Sequence, residues 1–172
     1  MVIFVGGIHG SGKGTICKQL ANQINYVHLT ASKLLKWNEV SPDTKNKFVK
    51  DIADTQDRLI HGLEEAKRKN RQIILDGHYC LFNANGVPER VPISTFEKIN
   101  PKVLSIVYAE PVEILKRLHN RDSKKYSLDV IEKMQRLELR CAEEVALYLR
   151  IPLVKINSEE TNNLKELISL IK

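Results

Sequence analysis

Five short runs of apolar residues, many of them β-branched, recur along the chain between longer segments of mixed polarity. Continuous apolar runs of this length indicate buried β-strands, and such runs are typical of parallel sheets that are covered on both faces. The predicted strands occupy residues 2–5, 26–30, 72–76, 102–108 and 153–156.

The segments between these runs carry apolar residues at helical spacing. Ile16, Leu20 and Ile24 follow the i, i+4, i+8 rule. Pro111 suits the first position of a helix, where its missing N–H costs nothing, and Ser127 and Ser158 suit N-caps. The predicted helices cover residues 15–24, 32–37, about 44–69, 96–100, 111–121, 128–150 and a C-terminal segment, whereas 77–95 is predicted to be irregular.

This alternation of strands and helices predicts a single α/β domain over residues 1–172. Its expected form is a three-layer fold with a five-stranded parallel sheet covered by helices on both faces. In such a fold, the ligand lies beyond the carboxyl ends of the strands.

Glycines are concentrated directly after the first predicted strand, where five of the chain's eight glycines fall between positions 6 and 14. A phosphate-binding loop requires glycine, because its backbone adopts positive φ and turns successive N–H groups toward the anion. Gly7, four further residues, Gly12 and Lys13 match the P-loop pattern in its strand–loop–helix setting. The sequence therefore predicts phosphate binding and a P-loop NTPase fold.

Composition and charge narrow the possible classes of protein. The length of 172 residues suits one domain, and the apolar fraction of 42% is ordinary for a globular protein. The net charge of +6 suits a phosphate-binding enzyme as well as a nucleic-acid-binding protein. Because no arginine-rich tract is interleaved with aromatic residues, nucleic-acid binding is the minority interpretation.

The three cysteines, Cys17, Cys80 and Cys141, are odd in number and widely spaced. This usage predicts reduced thiols in a cytoplasmic protein, and it indicates neither a disulfide framework nor a zinc site. No stretch approaches the roughly 18 apolar residues of a membrane span, and the N-terminal run is too short for a signal peptide. We therefore expect no membrane association.

One residue departs from the general P-loop pattern, because Gly14 follows Lys13 and Thr15 comes only afterwards. The resulting motif, G-x-x-G-x-G-K-G-T, resembles the P-loop of adenylate kinases and related nucleoside monophosphate kinases. The resemblance implies that Lys13 contacts the β- and γ-phosphates of ATP and that Thr15 contributes to Mg²⁺ binding. The implied ATP-binding residues of this loop are Gly7, His9, Gly10, Ser11, Gly12, Lys13, Gly14 and Thr15.

Asp76 ends the third apolar run, where a carboxylate that follows a P-loop typically holds Mg²⁺ or its water ligands. An aspartate that only caps the turn before Gly77 is the alternative. The Leu75-Asp76-Gly77 stretch resembles the L-D-G-F-P-R segment of adenylate kinases, but the residues that follow depart from it. The arginine that binds the acceptor phosphate in that family is therefore absent from its expected place, and Arg90 is a possible substitute.

Arg117 and Arg121 are spaced i, i+4 and share one face of a predicted helix. In the adenylate kinase family, such a pair opens the mobile lid and contacts ATP and the transferred phosphoryl group. The resemblance implies a catalytic role for both residues and a short lid over about residues 117–127, whereas a solvated basic face is the alternative. The short lid is similar to that of archaeal-type enzymes and excludes a zinc-binding lid.

The residues expected to bind the acceptor are less well defined. Thr30 matches a threonine that meets the base of the monophosphate in the family, within acceptor-binding helices expected over about residues 31–69. Asn157 lies where the family packs its backbone against adenine. The remaining acceptor candidates are His78 at the presumed site, two lysines near a family arginine, and a second i, i+4 arginine pair that could instead form surface ion pairs: Lys33, Lys36, Arg136 and Arg140.

The sequence predicts an ATP- and Mg²⁺-dependent nucleoside monophosphate kinase, with adenylate kinase as the leading interpretation (ATP and AMP giving two ADP). One alternative is a P-loop kinase that phosphorylates a hydroxyl of a small molecule or nucleoside and therefore requires a general base. A nucleotide-dependent switch or assembly ATPase is the alternative from another class. The sequence determines neither the base specificity nor the oligomeric state.

Overall fold

The computed structural model describes residues 1–35, 52–82, 87–121, 126–160 and 162–171. Strands and helices alternate along these ranges as the hydrophobic pattern predicts. In chain order, the elements are β1 (Val2–Gly6), α1 (Lys13–Ile24), β2 (Val27–Thr30), α2 (Ala31–Leu34), α3 (Ile52–Lys69), β3 (Ile73–Asp76), β4 (Cys80–Phe82), β5 (Pro88–Arg90), α4 (Ile93–Ile99), β6 (Val103–Tyr108), α5 (Pro111–Arg121), α6 (Leu128–Leu149), β7 (Leu153–Asn157) and α7 (Asn162–Ser169).

The five long strands form one parallel sheet in the order β2-β3-β1-β6-β7. The strand β1 is central, and its residue Val5 lies opposite Asp76 of β3 and Ser105 of β6. After β1, the chain first forms β2 and β3 on one side of that strand, and later β6 and β7 on its other side. The direction of the strand order changes at β1, and in this fold class ligands bind beyond the carboxyl ends of the strands at such a point.

Both faces of the sheet are buried. Successive side chains of a strand point to opposite faces, so each strand contributes to the core on both sides of the sheet. On one face, Ile3 and Val5 pack with apolar residues of α1 and α7. On the other face, Phe4 packs edge-on against Tyr79 and Phe96, with ring centroids 5.0 and 5.2 Å apart. The helices α3, α4 and α6 cover this second face. The predicted three-layer architecture is confirmed.

The segment 77–95 differs from its prediction as an irregular loop. It contains an antiparallel hairpin in which Cys80 pairs with Arg90 and Leu81 pairs with Glu89. The helix expected over 96–100 begins earlier, at Ile93. The hairpin strands have three residues each, which is shorter than the runs that predict a strand, and β5 is polar and exposed.

The region between β2 and β3 is only partly described. The predicted helix over 32–37 is seen as α2, and the predicted helix over 44–69 is seen from Ile52 onward, while residues 36–51 lie outside the described ranges. A Cβ atom at Gly62 of α3 would lie 2.7 Å from the carbonyl oxygen of Leu34. This glycine therefore permits close packing of α3 on α2. Among the described helices, none is long and apolar enough to cross a membrane.

Candidate active site

The loop between β1 and α1 has the backbone of an anion-binding loop. Gly7, Gly10 and Gly12 adopt φ values of 144°, 82° and 92°, which disfavour any residue with a Cβ atom. Gly12 is the N-cap of α1, but no side chain caps this helix and its first turn contains no acidic residue. Because a helix N-terminus presents unpaired N–H groups and partial positive charge, this end of α1 is suited to a phosphate.

Close packing explains two of these glycines. A Cβ atom at Gly7 would lie 2.5 Å from the carbonyl oxygen of Val107, and one at Gly12 would lie 2.7 Å from Cβ of Ser158. Gly14 is different, since a Cβ atom there would meet no heavy atom within 4 Å. Packing within the described residues therefore does not require glycine at position 14.

Lys13 and Asp76 form an ion pair at the carboxyl end of the sheet. Nζ of Lys13 donates a hydrogen bond to Oδ1 of Asp76, and the two side chains are only 12% and 9% exposed. Asp76 reaches this position because β3 pairs with β1 in a register that places it beside the start of the loop. Thr15 lies exposed on the first turn of α1. The structure thus brings together a cation for a phosphate and a carboxylate for a hard divalent cation.

Two residues that the sequence analysis did not assign to a site also lie beside Asp76. Nε2 of His28, on β2, lies 3.4 Å from Oδ2 of Asp76. Cys17 lies one turn after Lys13 on α1, and its thiol belongs to the same cluster. Burial and the negative charge of Asp76 raise the pKa of the Cys17 thiol well above its usual value.

Glu138 on α6 connects the P-loop to the segment after Asp76. Its Oε1 accepts hydrogen bonds from the N–H groups of Gly7 (3.2 Å) and Tyr79 (2.9 Å), and its Oε2 accepts one from Cys80 (2.7 Å). The residue is 1% exposed. Burial raises the pKa of Glu138 from 4.5 to about 7, although the three backbone N–H groups and nearby Lys13 oppose that shift. This carboxyl holds two loops of the site together.

Glu138 was not among the predicted site residues, although the helical pattern of α6 contains a signal for it. The buried stripe of α6 contains Met134, Cys141 and Val145, and Glu138 occupies the same face at i+4 from Met134. A charged residue inside an apolar stripe is almost never fully buried unless its carboxylate is paired. That exception to the helical pattern marks a residue with buried hydrogen-bond partners.

Arg117 on α5 contacts the P-loop from the side opposite β3. Its Nη1 donates to the carbonyl oxygen of Gly10 at 3.3 Å and to Oγ of Ser158 at 3.1 Å, and its Nη2 lies 3.3 Å from Oε1 of Glu159. Arg121, the last residue of α5, is exposed. Residues 122–125 of the predicted lid lie outside the described ranges.

The turn after β7 lies against the same loop. Asn157 ends this strand, and its Oδ1 accepts a hydrogen bond from the N–H of Glu159 at 3.0 Å. Ser158 follows and contacts Arg117. The structure therefore places the predicted adenine-side residue Asn157 next to residues that touch the P-loop.

The two histidines expected near the site lie against each other. The ring centroids of His9 and His78 are 4.7 Å apart. Nδ1 of His78 also lies 3.7 Å from Oε1 of Glu138. His9 of the P-loop and His78 of the segment after Asp76 are thus in contact. They lie beside the Glu138 carboxyl, which accepts hydrogen bonds from the backbones of both segments.

The predicted acceptor residues are less closely associated with the loop. Thr30 lies opposite Asp76 in the sheet register, and its Oγ1 caps α2 by accepting a hydrogen bond from the N–H of Lys33 at 3.2 Å. The side chain of Lys33 is exposed, and Lys36 lies outside the described ranges.

Arg136 and Arg140 lie on α6 two residues before and after Glu138, and both are exposed. Positions two residues apart in an α-helix are rotated by about 200° relative to each other. Both arginines therefore point away from the face that contacts the P-loop. Among the ion pairs of the described residues, the nearby acidic residues Glu143 and Glu144 pair with Lys155 and Arg90 instead.

The possible substitute for the missing acceptor arginine is engaged elsewhere. Arg90 on β5 holds Glu144 of α6 through both guanidinium nitrogens, one of them at 3.2 Å. This bidentate pair fastens the hairpin to α6.

Comparison with protein families identifies the class of domain. A family described as AAA domain matches residues 6–135, well over half of the chain. The chain belongs to this family. The matched region contains the P-loop, Asp76 and Arg117, so the family assignment covers the residues that form the ion pair and its surroundings.

Adenylate kinases are among the relatives of this AAA domain. Mouse adenylate kinase isoenzyme 5 is 31% identical over 90 residues, which is 52% of this chain and 16% of that protein. The adenylate kinase of Borrelia garinii is 28% identical over 129 residues, 70% of this chain and 57% of that protein. UMP-CMP kinase 2 of Caenorhabditis elegans is 57% identical over 35 residues, 20% of this chain and 18% of that protein. The chain thus spans less than two thirds of each relative, and the predicted resemblance to nucleoside monophosphate kinases is confirmed at modest identity.

Solved structures confirm the fold. A shikimate kinase from Aquifex aeolicus superposes with a TM-score of 0.59 at 15% identity, covering 99% of this chain and 96% of that chain. The YorR protein of Bacillus subtilis, in complex with phosphorylated GDP, superposes with a TM-score of 0.58 at 15% identity and covers 99% and 95%. The AAA domain described here therefore has the predicted P-loop fold with a five-stranded parallel sheet.

Proposed function

We propose that this protein is an ATP-dependent phosphotransferase whose acceptor is a nucleoside monophosphate, with AMP as the leading candidate. The observation that carries the proposal is the Lys13–Asp76 ion pair at the uncapped N-terminus of α1. This arrangement supplies a cation and free N–H groups to a phosphate beside a carboxylate. The similarity to adenylate kinases and UMP-CMP kinases supports the class of acceptor.

The residues around the P-loop fit Mg²⁺ and ATP. Asp76 supplies carboxylate oxygens, which hard divalent cations prefer, and Thr15 supplies a hydroxyl on the first turn of α1. When bound, Mg²⁺ would neutralise phosphate charge as the phosphoryl group is transferred. The N–H groups at the start of α1 and Nζ of Lys13 would hold the phosphates, and Asn157 would lie on the adenine side. Glycine at position 14, which packing does not require, leaves the nucleotide room to approach the backbone.

The arginine contacts suit a reaction in which negative charge spreads over the transferred phosphoryl group. In transfer to a monophosphate, an oxygen of the acceptor phosphate forms a bond to the γ-phosphorus while the bond to ADP breaks. Arg117 already lies against the P-loop and would stabilise the developing charge, with Arg121 one turn further along α5. An anionic acceptor needs no general base, and Thr30 beside Asp76 would face it.

A kinase with a hydroxyl acceptor is the second candidate, because a residue expected to bind an acceptor phosphate is missing. The segment after Asp76 lacks the arginine expected to hold an acceptor phosphate, and Arg90 is paired with Glu144. A hydroxyl acceptor would need a base, and Asp76 is the carboxylate placed to act as one. The likeness to a shikimate kinase is one of fold and is compatible with this candidate.

The test is a panel of acceptors incubated with Mg²⁺ and ATP, with ADP and phosphorylated products separated by chromatography. The panel contains AMP, CMP, UMP, GMP and dTMP beside nucleosides and simple sugars. We expect at least one monophosphate to be converted to its diphosphate by the wild-type protein and not by Lys13→Met. Turnover of hydroxyl acceptors alone would favour the second candidate. ATP hydrolysis that requires no acceptor and rises with a protein or RNA partner would overturn both.

A further inference from the structure

Cys17, His28 and Asp76 form a cluster of metal-ligating side chains under the P-loop. One ligand atom from each residue lies within 4.8 Å of the others. From this geometry, we propose that Cys17, His28 and Asp76 form an inhibitory binding site for a divalent metal ion of the zinc type. The site is distinct in chemistry from the expected Mg²⁺ site, although Asp76 belongs to both.

The spacing of the ligand atoms suits four-coordinate zinc. Nε2 of His28 and Oδ2 of Asp76 are 3.4 Å apart. Zinc with bonds of about 2.0–2.1 Å to nitrogen and oxygen in tetrahedral geometry separates two such ligands by about 3.3–3.4 Å. The two atoms therefore already stand at the edge length of a zinc tetrahedron. Sγ of Cys17 completes three protein ligands, which leaves the fourth position open.

The chemistry of the three ligand atoms favours zinc over Mg²⁺. A thiolate and an imidazole favour zinc and similar transition metals, whereas Mg²⁺ requires oxygen ligands. Zinc sites with three protein ligands of mixed sulfur, nitrogen and oxygen type are a common arrangement when the fourth position stays open. The cluster thus discriminates against the cation that the phosphotransferase reaction would use.

The nitrogen of His28 is available for a metal. Its Nε2 is buried and makes no hydrogen bond to any described residue. An unsatisfied buried nitrogen is costly, and a metal ion would satisfy it. The side chain of His28 is 17% exposed in total, so part of this ligand reaches the protein surface.

The ion pair with Lys13 does not block the site. Lys13 donates to Oδ1 of Asp76, whereas His28 faces Oδ2. One carboxylate can therefore keep its lysine and ligate a metal through its other oxygen. On binding, the Cys17 thiol gives its proton to the solvent and Sγ bonds to the metal, so the step involves no oxidation or reduction.

Three separate elements supply the ligands, so no local spacing motif reveals the site. Cys17 comes from α1, His28 from β2 and Asp76 from β3. His28 and Asp76 point to the same face of the sheet as Ile74, the face that α1 covers. Cys17 reaches them because it lies one turn after Lys13 on that helix.

The consequence for activity rests on the proposed function. A zinc ion on Asp76 would withdraw the carboxylate that is expected to hold Mg²⁺, and the phosphoryl transfer would slow. Binding itself does not depend on that role, because it requires only the three side chains. The two statements can therefore be tested separately.

The binding test uses metal-free protein of residues 1–172 without nucleotide, titrated with Zn²⁺ in a calorimeter and with Co²⁺ in a spectrophotometer. Co²⁺ reports a bond to sulfur through an intense thiolate-to-metal charge-transfer band. We expect one Zn²⁺ per chain and this band in the wild-type protein. In Cys17→Ser the band should vanish. In His28→Gln, affinity should fall by about 100-fold or more, since even outer-shell partners typically contribute about 10–100-fold.

Cys141→Ser is the matched control, because Cys141 is also a buried cysteine but lies in the core on the other face of the sheet. It should bind Zn²⁺ and show the Co²⁺ band as the wild type does. If Cys17→Ser does not fold by circular dichroism, the partly exposed position of His28 makes His28→Gln the deciding variant. Absence of stoichiometric binding, an unchanged affinity in His28→Gln, or loss of the band in Cys141→Ser would overturn the site.

The activity test adds Zn²⁺ to the phosphotransferase reaction at fixed Mg²⁺ and ATP. Each variant is compared with its own rate in the absence of zinc, and Cys17→Ser should be less sensitive than the wild type by the same factor as its loss of affinity. Equal sensitivity would refute the inhibitory role. A protein that binds zinc as expected but phosphorylates no acceptor would refute the proposed function and leave the metal site standing.

Discussion

The residues expected to bind ATP and those expected to bind the acceptor are held in different ways. On the side expected to bind ATP, Lys13 and Arg117 are fixed by hydrogen bonds to Asp76, Gly10 and Ser158. Buried Glu138 holds the loop behind them. On the side expected to bind the acceptor, Lys33 and the arginines of α6 are exposed. The first group is held by hydrogen bonds within the protein, and the second has no comparable set of contacts among the described residues.

The two sets of side chains therefore differ in how far contacts within the protein orient them. Electrostatic stabilisation of a transition state is most effective when the donors are already oriented, because no reorganisation is then needed during the reaction. The side expected to bind ATP meets this condition through the hydrogen bonds of Lys13, Arg117 and Glu138. If this difference matters for function, substitutions on the side expected to bind ATP should have larger effects on catalysis than those on the acceptor side.

The largest effect is expected for Lys13→Met, compared with Lys33→Met on the acceptor side. Loss of the ammonium group should lower kcat/KM by up to roughly 1,000-fold, since a single preorganised electrostatic contact is typically worth about 100- to 1,000-fold. Lys33→Met should have a smaller effect that is confined to the KM of the acceptor. Steady-state kinetics with both substrates varied would measure this. Equal losses in the two variants would contradict the comparison.

Glu138→Ala should cause the next largest effect, measured as the free energy of unfolding in urea. Three buried N–H groups, of Gly7, Tyr79 and Cys80, would lose their acceptor. The expected destabilisation is about 3–5 kcal/mol. Glu144→Ala on the same helix removes an exposed ion pair with Arg90 and should cost less than about 1 kcal/mol. A loss at Glu138 as small as that at Glu144 would show that the carboxyl does not hold the loops.

The pH dependence of stability should also report Glu138. Its pKa is raised from 4.5 to about 7, so between these values the folded state keeps a proton that the unfolded state has lost. Stability contributed by this group is therefore present below pH 4.5 and declines until about pH 7, by on the order of 3 kcal/mol. Urea unfolding at several pH values should show this decline in the wild type and not in Glu138→Gln. Identical slopes in the two proteins would exclude Glu138 as the cause.

A smaller effect is expected for Arg117→Ala, compared with Arg136→Ala. Arg117 touches the P-loop, and its loss should lower kcat by roughly 100-fold. Arg136 lies on the face of α6 away from the loop, so its removal should change kcat by less than about threefold, within the range of an exposed charge. A larger loss for Arg136→Ala would place the acceptor on that face and reverse the comparison.

Much of the fold follows from local patterns. The five apolar runs predict the strands of the sheet, and the glycines after the first run predict the P-loop, because both patterns reflect local backbone and burial requirements. The pairing of β4 (Cys80–Phe82) with β5 (Pro88–Arg90) is an exception. Its strands are short, and their pairing depends on contacts with α6 rather than on their own composition.

The sequence alone predicts the glycine-rich P-loop, the site residues Lys13 and Asp76, and the alternation of strands and helices. The distant groups that meet at this site become visible only in the folded chain. Glu138 lies 131 residues from Gly7, and Cys17 and His28 reach Asp76 from two different elements. The physical reason is that glycine conformation and strand burial are encoded locally, whereas a buried carboxyl or a set of metal ligands is defined by partners that only the folded chain brings together.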